Sequence, residues 1–300
     1  MNQKRIARIA IVSIVIIFIG LLLFLPRIAP KTDDNKIKIV STTFPTYDIA
    51  RALTYGLDAN TKMLVKPGVE IHDYDPSPQD IIDAQSADIF IYIGGESDTW
   101  VDKINFSEKT LVIKLIDSVK TTTESDDTDE IDEHIWTSPA NYLSMMSYAK
   151  GLISAKYPDL KTALYDNLSI YGETIRDLDQ NYRNAKIVQP IIVADRFPFR
   201  YLVKEYGLDY VAAFPGCAEQ TEASAEKVAE IIKAVKDNNA PYIYALDMSD
   251  TKIAQAIAGS TDVKIRKLYS GHNLSQEDFN SGITMAVIYE RNLKALQESK

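Results

Sequence analysis

Short apolar runs alternate with helical segments along most of this chain, and the pattern occurs twice. The predicted strands are residues 37–41, 62–65, 88–93 and 111–115 in the first half, and 187–193, 209–213, 242–246 and 263–267 in the second. Strands that alternate with helices form parallel sheets covered by helices on both faces. The sequence therefore predicts an α/β protein with two parallel-sheet lobes, and a final amphipathic helix is predicted at 276–298.

A long amphipathic helix is predicted between the two halves. Its apolar residues recur at spacings of four and three over about seven turns; they are Leu164, Leu168, Tyr171, Ile175, Leu178 and Tyr182. We predict four segments: a signal or anchor transmembrane segment at 1–30, an N-terminal α/β lobe at 36–157, one rigid connecting helix at 158–185, and a C-terminal α/β lobe at 186–300. Ligands are expected in the cleft between the lobes, which faces the carboxyl ends of the strands.

The N-terminus predicts export. Lys4, Arg5 and Arg8 precede an apolar run at 9–26 that is about long enough to cross a bilayer. The run is longer than the apolar part of most cleaved signals and no small-residue cleavage site follows it, which favours an anchor over a cleaved signal peptide. With either alternative, we expect the protein at the extracytoplasmic face of the cell membrane.

The charge of the chain excludes one class of partner. The net charge is −9, and without residues 1–30, which carry four basic residues and no acids, it becomes −13. Such an acidic body repels phosphate backbones, so no nucleic-acid partner is expected. The segment 121–133 carries seven acids and is predicted to be a solvated loop, with weak collection of cations as an alternative role.

The chain has only three histidines, His72, His134 and His272, and each lies in a turn that the predicted fold directs toward the cleft. Three imidazoles suit Zn(II), with Mn(II), Fe(II), Ni(II) and Cu(II) as competitors. We therefore predict a metal site with three nitrogen ligands. Neighbouring carboxylates can accept the second ring N–H of His72 and His134; they are Asp73, Asp75, Asp132 and Glu133.

The fourth ligand is open at this point. Asp195 is the first candidate, although it could instead cap a helix or pair with Arg196. Cys217, the only cysteine, is the second, since its thiolate would bind zinc strongly, although a cysteine in such a turn is more often simply small. Glu222 and water are further alternatives.

Several motifs resemble the zinc and manganese group of solute-binding proteins of bacterial ABC transporters. They are HDYDPSPQD, DEHIWTSPANY, DRFPFRYLVKEYGLDYVAAFPGCAEQTEAS and LYSGHNLSQEDF. The resemblance implies a capture protein that binds Zn(II) or Mn(II) outside the membrane and delivers it to an ABC permease, and we expect a monomer. It also implies ligand roles for His72 and His134. The usual third-ligand position falls on Arg196, and His272 stands in the loop that usually carries an aspartate, so we assign His272 that role.

A different class of function is an exported metallohydrolase, in which the metal activates water. The sequence has no HExxH motif, nucleophile elbow or phosphate-binding glycine loop. We therefore expect a binding protein rather than an enzyme, with small lobe movements because the connecting helix is long.

Overall fold

The computed structural model describes residues 36–71, 74–126, 128–216 and 223–297. The first lobe contains a sheet of four parallel strands, in the order β2-β1-β3-β4. The strands are β1 Ile37–Ser41, β2 Ala59–Met63, β3 Ile89–Tyr92 and β4 Leu111–Lys114. The predicted anchor at 1–30 lies outside the described residues, and none of the described helices has both the length and the apolar character to cross a bilayer.

The second lobe repeats this topology. Its four parallel strands lie in the order β6-β5-β7-β8. They are β5 Ile191–Phe197, β6 Tyr210–Pro215, β7 Tyr242–Leu246 and β8 Lys264–Leu268. The predicted fold class, two parallel-sheet α/β lobes, is therefore confirmed, and in both sheets the first strand in the chain lies beside the third.

The described helices lie between and around these strands. They are α1 Phe44–Leu53, α2 Pro78–Gln85, α3 Pro139–Lys156, α4 Lys161–Asn184, α5 Arg200–Tyr206, α6 Ala225–Asp237, α7 Lys252–Thr261, α8 Gln276–Asn280 and α9 Met285–Leu296. Helix α4 is the long helix predicted from the apolar spacing, and Leu164, Ile175, Leu178 and Tyr182 form its buried face. The exact lobe boundaries stay a prediction.

The inner strands β1, β3, β5 and β7 divide their side chains between two cores, as the two-residue period requires. In β3, Ile89 and Ile91 face a central core, whereas Phe90 and Tyr92 face an outer one. In β5, Ile191 and Val193 likewise belong to the central core. This central core is continuous across both lobes and includes residues of α3, α4 and α9.

Several predicted element boundaries differ from the structure, and three of the differences are informative. Strand β2 lies at 59–63 rather than 62–65. Strand β5 begins at Ile191 because Pro190 has no N–H to donate to a neighbouring strand, and it extends to Phe197, so that Asp195 lies inside the strand. The single final helix predicted at 276–298 is two helices, since Gly282 has a positive φ of 73° and Thr284 caps the second helix by accepting from the Val287 N–H.

Candidate metal centre

A polar cleft lies at the carboxyl ends of the strands, where parallel α/β sheets place their ligands. Both lobes line it. The first lobe contributes Val69, Glu70 and Ile71 with His134, and the second contributes Arg196, the segment after β7 that includes Asp247, and the loop after β8 that includes His272. The open space among these residues is about 460 Å³.

His134 is the most tightly held of the cleft side chains. It is buried, with 2% of its surface exposed. Its Nδ1 lies 2.7 Å from Asp132 Oδ1, and its backbone N–H donates to the same oxygen at 2.8 Å. An Nδ1–H that donates to a carboxylate leaves Nε2 as the ring nitrogen that can ligate a metal, and it fixes the direction of the ring.

His272 reaches the same place from the loop between β8 and α8. Its ring centroid lies 5.3 Å from that of His134 and 4.6 Å from the Trp136 ring. The Trp136 indole is held in turn by a 2.9 Å hydrogen bond to the Ser270 carbonyl. The aromatic contact and the loop together place His272 Nε2 3.7 Å from Glu133 Oε1.

Glu133 is a third potential ligand at this point, which the sequence reasoning considered only as a partner for an imidazole. Its carboxylate accepts hydrogen bonds from the Ser97 backbone N–H at 2.9 Å and from the Ser97 hydroxyl. A Cβ atom at Gly95 would lie 2.1 Å from the Glu133 Cβ, so only glycine at this position admits the glutamate. In the sequence, the pair Gly94-Gly95 after β3 was the feature that could have indicated the close approach of another residue at this point.

Glu133, His134 and His272 therefore converge. One ligand atom from each lies within 4.8 Å of the others, and all three residues are buried. Two imidazole nitrogens and one carboxylate oxygen at such separations can coordinate a single divalent transition metal.

The electrostatics of His134 favour positive charge in this cluster. Burial lowers the pKa of His134, but the carboxylate of Asp132, through its charge and its hydrogen bond, and the charges of Glu133 and Glu124 raise it, so that the net pKa is above the usual 6.5. A site that stabilises an imidazolium also favours a metal cation bound to the same ring.

The Asp195 carboxylate is hydrogen-bonded to backbone N–H groups. Its Oδ1 accepts from the Arg196 N–H at 2.8 Å and its Oδ2 accepts from the Leu246 N–H at 3.2 Å, which joins β5 to the end of β7. Arg196 does not pair with Asp195 but reaches across the cleft to Glu70 Oε2 at 3.0 Å. The predicted ligands His72 and Cys217, together with Glu222, lie outside the described residues.

The acidic segment before His134 is fastened to the second lobe, which differs from the fully solvated loop that was predicted. The Tyr201 hydroxyl of α5 donates to the Asp132 carbonyl at 2.7 Å. The buried Arg200 forms an ion pair with Asp126 at 2.7 Å and also donates to the Thr123 carbonyl at 3.2 Å. We call residues 121–133 the strap, because this segment contacts α5 and contains Asp132, the residue that orients His134.

Two parallel-sheet lobes with metal-ligating side chains in the cleft are the features of a bilobed solute-binding protein that holds a metal. Comparison with known families agrees with this class. The family model described as "Zinc-uptake complex component A periplasmic" matches residues 39–299. The chain belongs to this family.

Named relatives and solved structures extend the comparison. The chain is 31% identical over 289 residues to the zinc-binding lipoprotein AdcA of Streptococcus pneumoniae strain R6, covering 90% of this chain but only 57% of AdcA. It is 28% identical to the high-affinity zinc uptake system protein ZnuA of Bacillus subtilis, covering 88% of each. The crystal structure of the Zn(II)-bound ZnuA-like domain of S. pneumoniae AdcA superposes with a TM-score of 0.74 at 30% identity, covering 87% of this chain and 97% of that domain.

Proposed function

We propose that this protein captures a divalent transition metal, with Zn(II) as the preferred cargo, and delivers it to an ABC permease. The observation that carries the proposal is the convergence of Glu133, His134 and His272 at the carboxyl ends of two parallel sheets. Membership of the zinc-uptake family and the zinc-binding relatives support the same cargo. The role is reversible binding without turnover.

The proposed ligands are the three histidines. His134 and His272 lie in the cluster, and His72 is the sequence-based candidate for the third nitrogen donor. Asp195 and Cys217 remain the sequence-based candidates for a fourth place. Three nitrogens with one harder ligand favour zinc over manganese, since manganese prefers oxygen ligands.

The protein acts, in this proposal, outside the cytoplasm. The segment 1–30 holds it at the membrane, near the permease, and the lobes present the loaded cleft to that partner. We propose that it works as a monomer.

Isothermal calorimetry with a competing chelator tests the binding proposal. We expect one zinc ion per chain, with affinity lowered at least about 100-fold in His134→Ala and in His272→Ala, because each change removes a ligand. Ser249→Ala, which alters a cleft residue outside the cluster, is the matched control and should bind as the wild type does. Unchanged affinity in both histidine variants would exclude this site.

Manganese competition and growth test the cargo and the role. We expect zinc to displace Mn(II) from the loaded protein, as the order of divalent affinities predicts. A deletion strain should grow poorly under zinc limitation and recover with added zinc. Recovery of growth with added manganese but not with added zinc would indicate that manganese is the cargo.

A further inference from the structure

While His134 and His272 are neutral, the form in which imidazole binds metal, the charges buried around the cluster do not balance without a bound cation. Asp132 and Glu133 are 0% and 1% exposed. Among the described residues, neither carboxylate forms an ion pair with a lysine or an arginine, and their only potential cationic partners are His134 and His272. Buried carboxylates are normally paired with a cation or bound to a metal, because an uncompensated buried charge is strongly unfavourable.

A divalent ion would compensate both carboxylates, Asp132 indirectly through an imidazole and Glu133 by direct contact. Asp132 would stabilise a bound ion through the His134 ring, since its Oδ1 lies 2.7 Å from Nδ1. Its Oδ2 is buried and accepts no hydrogen bond from the described residues, so that among them this carboxylate also lacks full compensation from polar neighbours. Glu133 has no such intermediary, and its Oε1 faces His272 Nε2 directly, at 3.7 Å.

The Glu133 carboxylate is also held in the way that metal ligands usually are. Ser97 donates to both of its oxygens, one through the backbone N–H and one through the hydroxyl. A carboxylate oxygen has two lone-pair sites, so Oε1 can accept the Ser97 hydroxyl and still bind an ion. Outer hydrogen bonds of this kind orient a ligating carboxylate.

The second lobe supplies no comparable ligand from β5 in the described structure. Arg196 carries a positive charge and pairs with Glu70, and both Asp195 oxygens accept backbone N–H groups. Asp195 is also not among the described residues whose potential ligand atoms converge, whereas Glu133 is, and its Oε1 faces His272.

We propose that Glu133 is a direct ligand of the bound metal, beside His134 and His272. The inference rests on the proposed metal-binding function and deepens it. The ligands then belong to the first lobe and to the loop after β8. That loop is itself tied to the first lobe, because Asn273 Nδ2 donates to the carbonyls of Lys66 and Val69, each at 2.8 Å.

Two matched pairs of variants test this assignment by calorimetry at neutral pH, with folding checked by circular dichroism. Glu133→Gln removes the charge with little change of shape, and Glu130→Gln, an exposed acid of the strap, is its control. Gly95→Ala keeps the charge but displaces the carboxylate, and Gly151→Ala, where an added Cβ meets no atom within 4 Å, is its control.

We expect zinc affinity to fall about 100-fold or more in E133Q and at least about tenfold in G95A, because loss of an outer partner alone costs about 10–100-fold. Both controls should bind as the wild type does. Folded E133Q with affinity within about threefold of wild type would overturn the assignment, while the H134A and H272A results would still decide separately whether the site binds metal.

Infrared spectroscopy of the wild-type protein gives an answer that does not depend on how the variants fold. Carbon-13 labelling of glutamate moves its carboxylate bands away from those of aspartate. Zinc addition should shift one labelled glutamate band in the wild type, and the same shift should be seen in E130Q. A spectrum in which no glutamate band responds to zinc would overturn the assignment, whatever the variants bind.

Discussion

At the residue scale, the hydrogen bond from His134 to Asp132 decides how protons compete with metal. The imidazole must be neutral to bind an ion, and Asp132 favours its protonated form as well as the metal-bound form. Asp132 therefore has two opposing effects on metal binding by His134. The carboxylate strengthens the ligand, but it also extends proton competition to higher pH.

Zinc affinity should consequently fall as the pH drops through the raised pKa of His134. Because that pKa lies above its ordinary value of 6.5, the loss should begin above pH 6.5 and be large by about pH 5. Calorimetry across this range, with Asp132→Asn for comparison, measures the effect. D132N should bind more weakly but show its proton competition at lower pH, and unchanged wild-type affinity at about pH 5 would contradict the expectation.

Asp247 should make the metal-free protein less stable as the pH rises. Burial raises the pKa of this carboxyl from 3.8 to about 6, against the opposing hydrogen bond from the Ser270 N–H. A carboxyl whose pKa is higher in the folded state binds more protons when folded, so its ionisation destabilises the fold. This loss of stability is absent below pH 3.8 and complete above about pH 6. Asp247→Asn should therefore raise the free energy of unfolding at pH above 6 by up to about 3 kcal/mol.

Urea unfolding at acidic and neutral pH tests this expectation. The difference between D247N and wild type should disappear near about pH 4, where the wild-type carboxyl is protonated. Asp166→Asn, at an exposed position of α4, is the control and should leave stability unchanged at both pH values. A pH-independent difference between D247N and wild type would show that the amide acts through packing instead.

Some of the site residues could be predicted and others could not, for physical reasons. His134 and His272 were predictable because histidines are few and each follows a strand or loop at the cleft. Glu133 was harder to recognise, since it is one of seven acids in a polar run and acids in such runs are usually solvated. Its burial depends on Gly95 and Ser97, which lie 36 or more residues away in the chain.

At the element scale, four helices meet at one buried aspartate. Asp48 of α1 accepts the hydroxyls of Tyr142 in α3 and Tyr171 in α4, each at 2.7 Å. It also accepts the Met285 N–H of α9 at 3.0 Å and pairs with Arg51. Because Asp48 is 0% exposed, the two tyrosine hydroxyls and the Met285 N–H donate to a buried carboxylate that water does not reach.

Asp48→Asn should be strongly destabilising. The amide replaces an acceptor oxygen with an N–H₂ group that faces donors, so buried polar groups lose their partners at a cost of about 2–4 kcal/mol. Chemical denaturation measures the loss, with Asp166→Asn again as the control. A change below about 0.5 kcal/mol would mean that the helices meet without help from this carboxylate.

The element boundaries illustrate what local pattern can and cannot predict. The apolar spacing that predicted α4 was sufficient because tertiary packing buries that same face. The final helix was predicted as one because its apolar period continues through residues 281–284, whereas the backbone turns at Gly282. That turn places the N-terminus of α9 against Asp48, a contact between residues more than 230 positions apart.

At the scale of the whole molecule, the continuous central core limits how the lobes can move. Residues of both sheets pack against α3, α4 and α9 in one buried cluster. Separating the lobes widely would expose part of that cluster, at roughly 25 cal/mol for each Å² of apolar surface. Shared packing is therefore a stronger constraint than the connecting helix alone.

Zinc binding should accordingly change the overall dimensions very little. We expect the radius of gyration from small-angle X-ray scattering to differ by less than about 1 Å between metal-free and zinc-loaded protein. The His134→Ala variant, mixed with the same zinc concentration, is the control for effects of the ion on scattering. A compaction of several ångströms in the wild type alone would show that the lobes close as a hinge.

The strap has a mechanical consequence. Tyr201 of the second lobe holds the carbonyl of Asp132, whose side chain holds His134, so the two lobes and the ligand ring form one chain of hydrogen bonds. Any movement of α5 away from the first lobe applies force to the backbone beside His134. A displacement of α5 therefore reaches the His134 ring through two hydrogen bonds, by a route separate from the opening of the cleft.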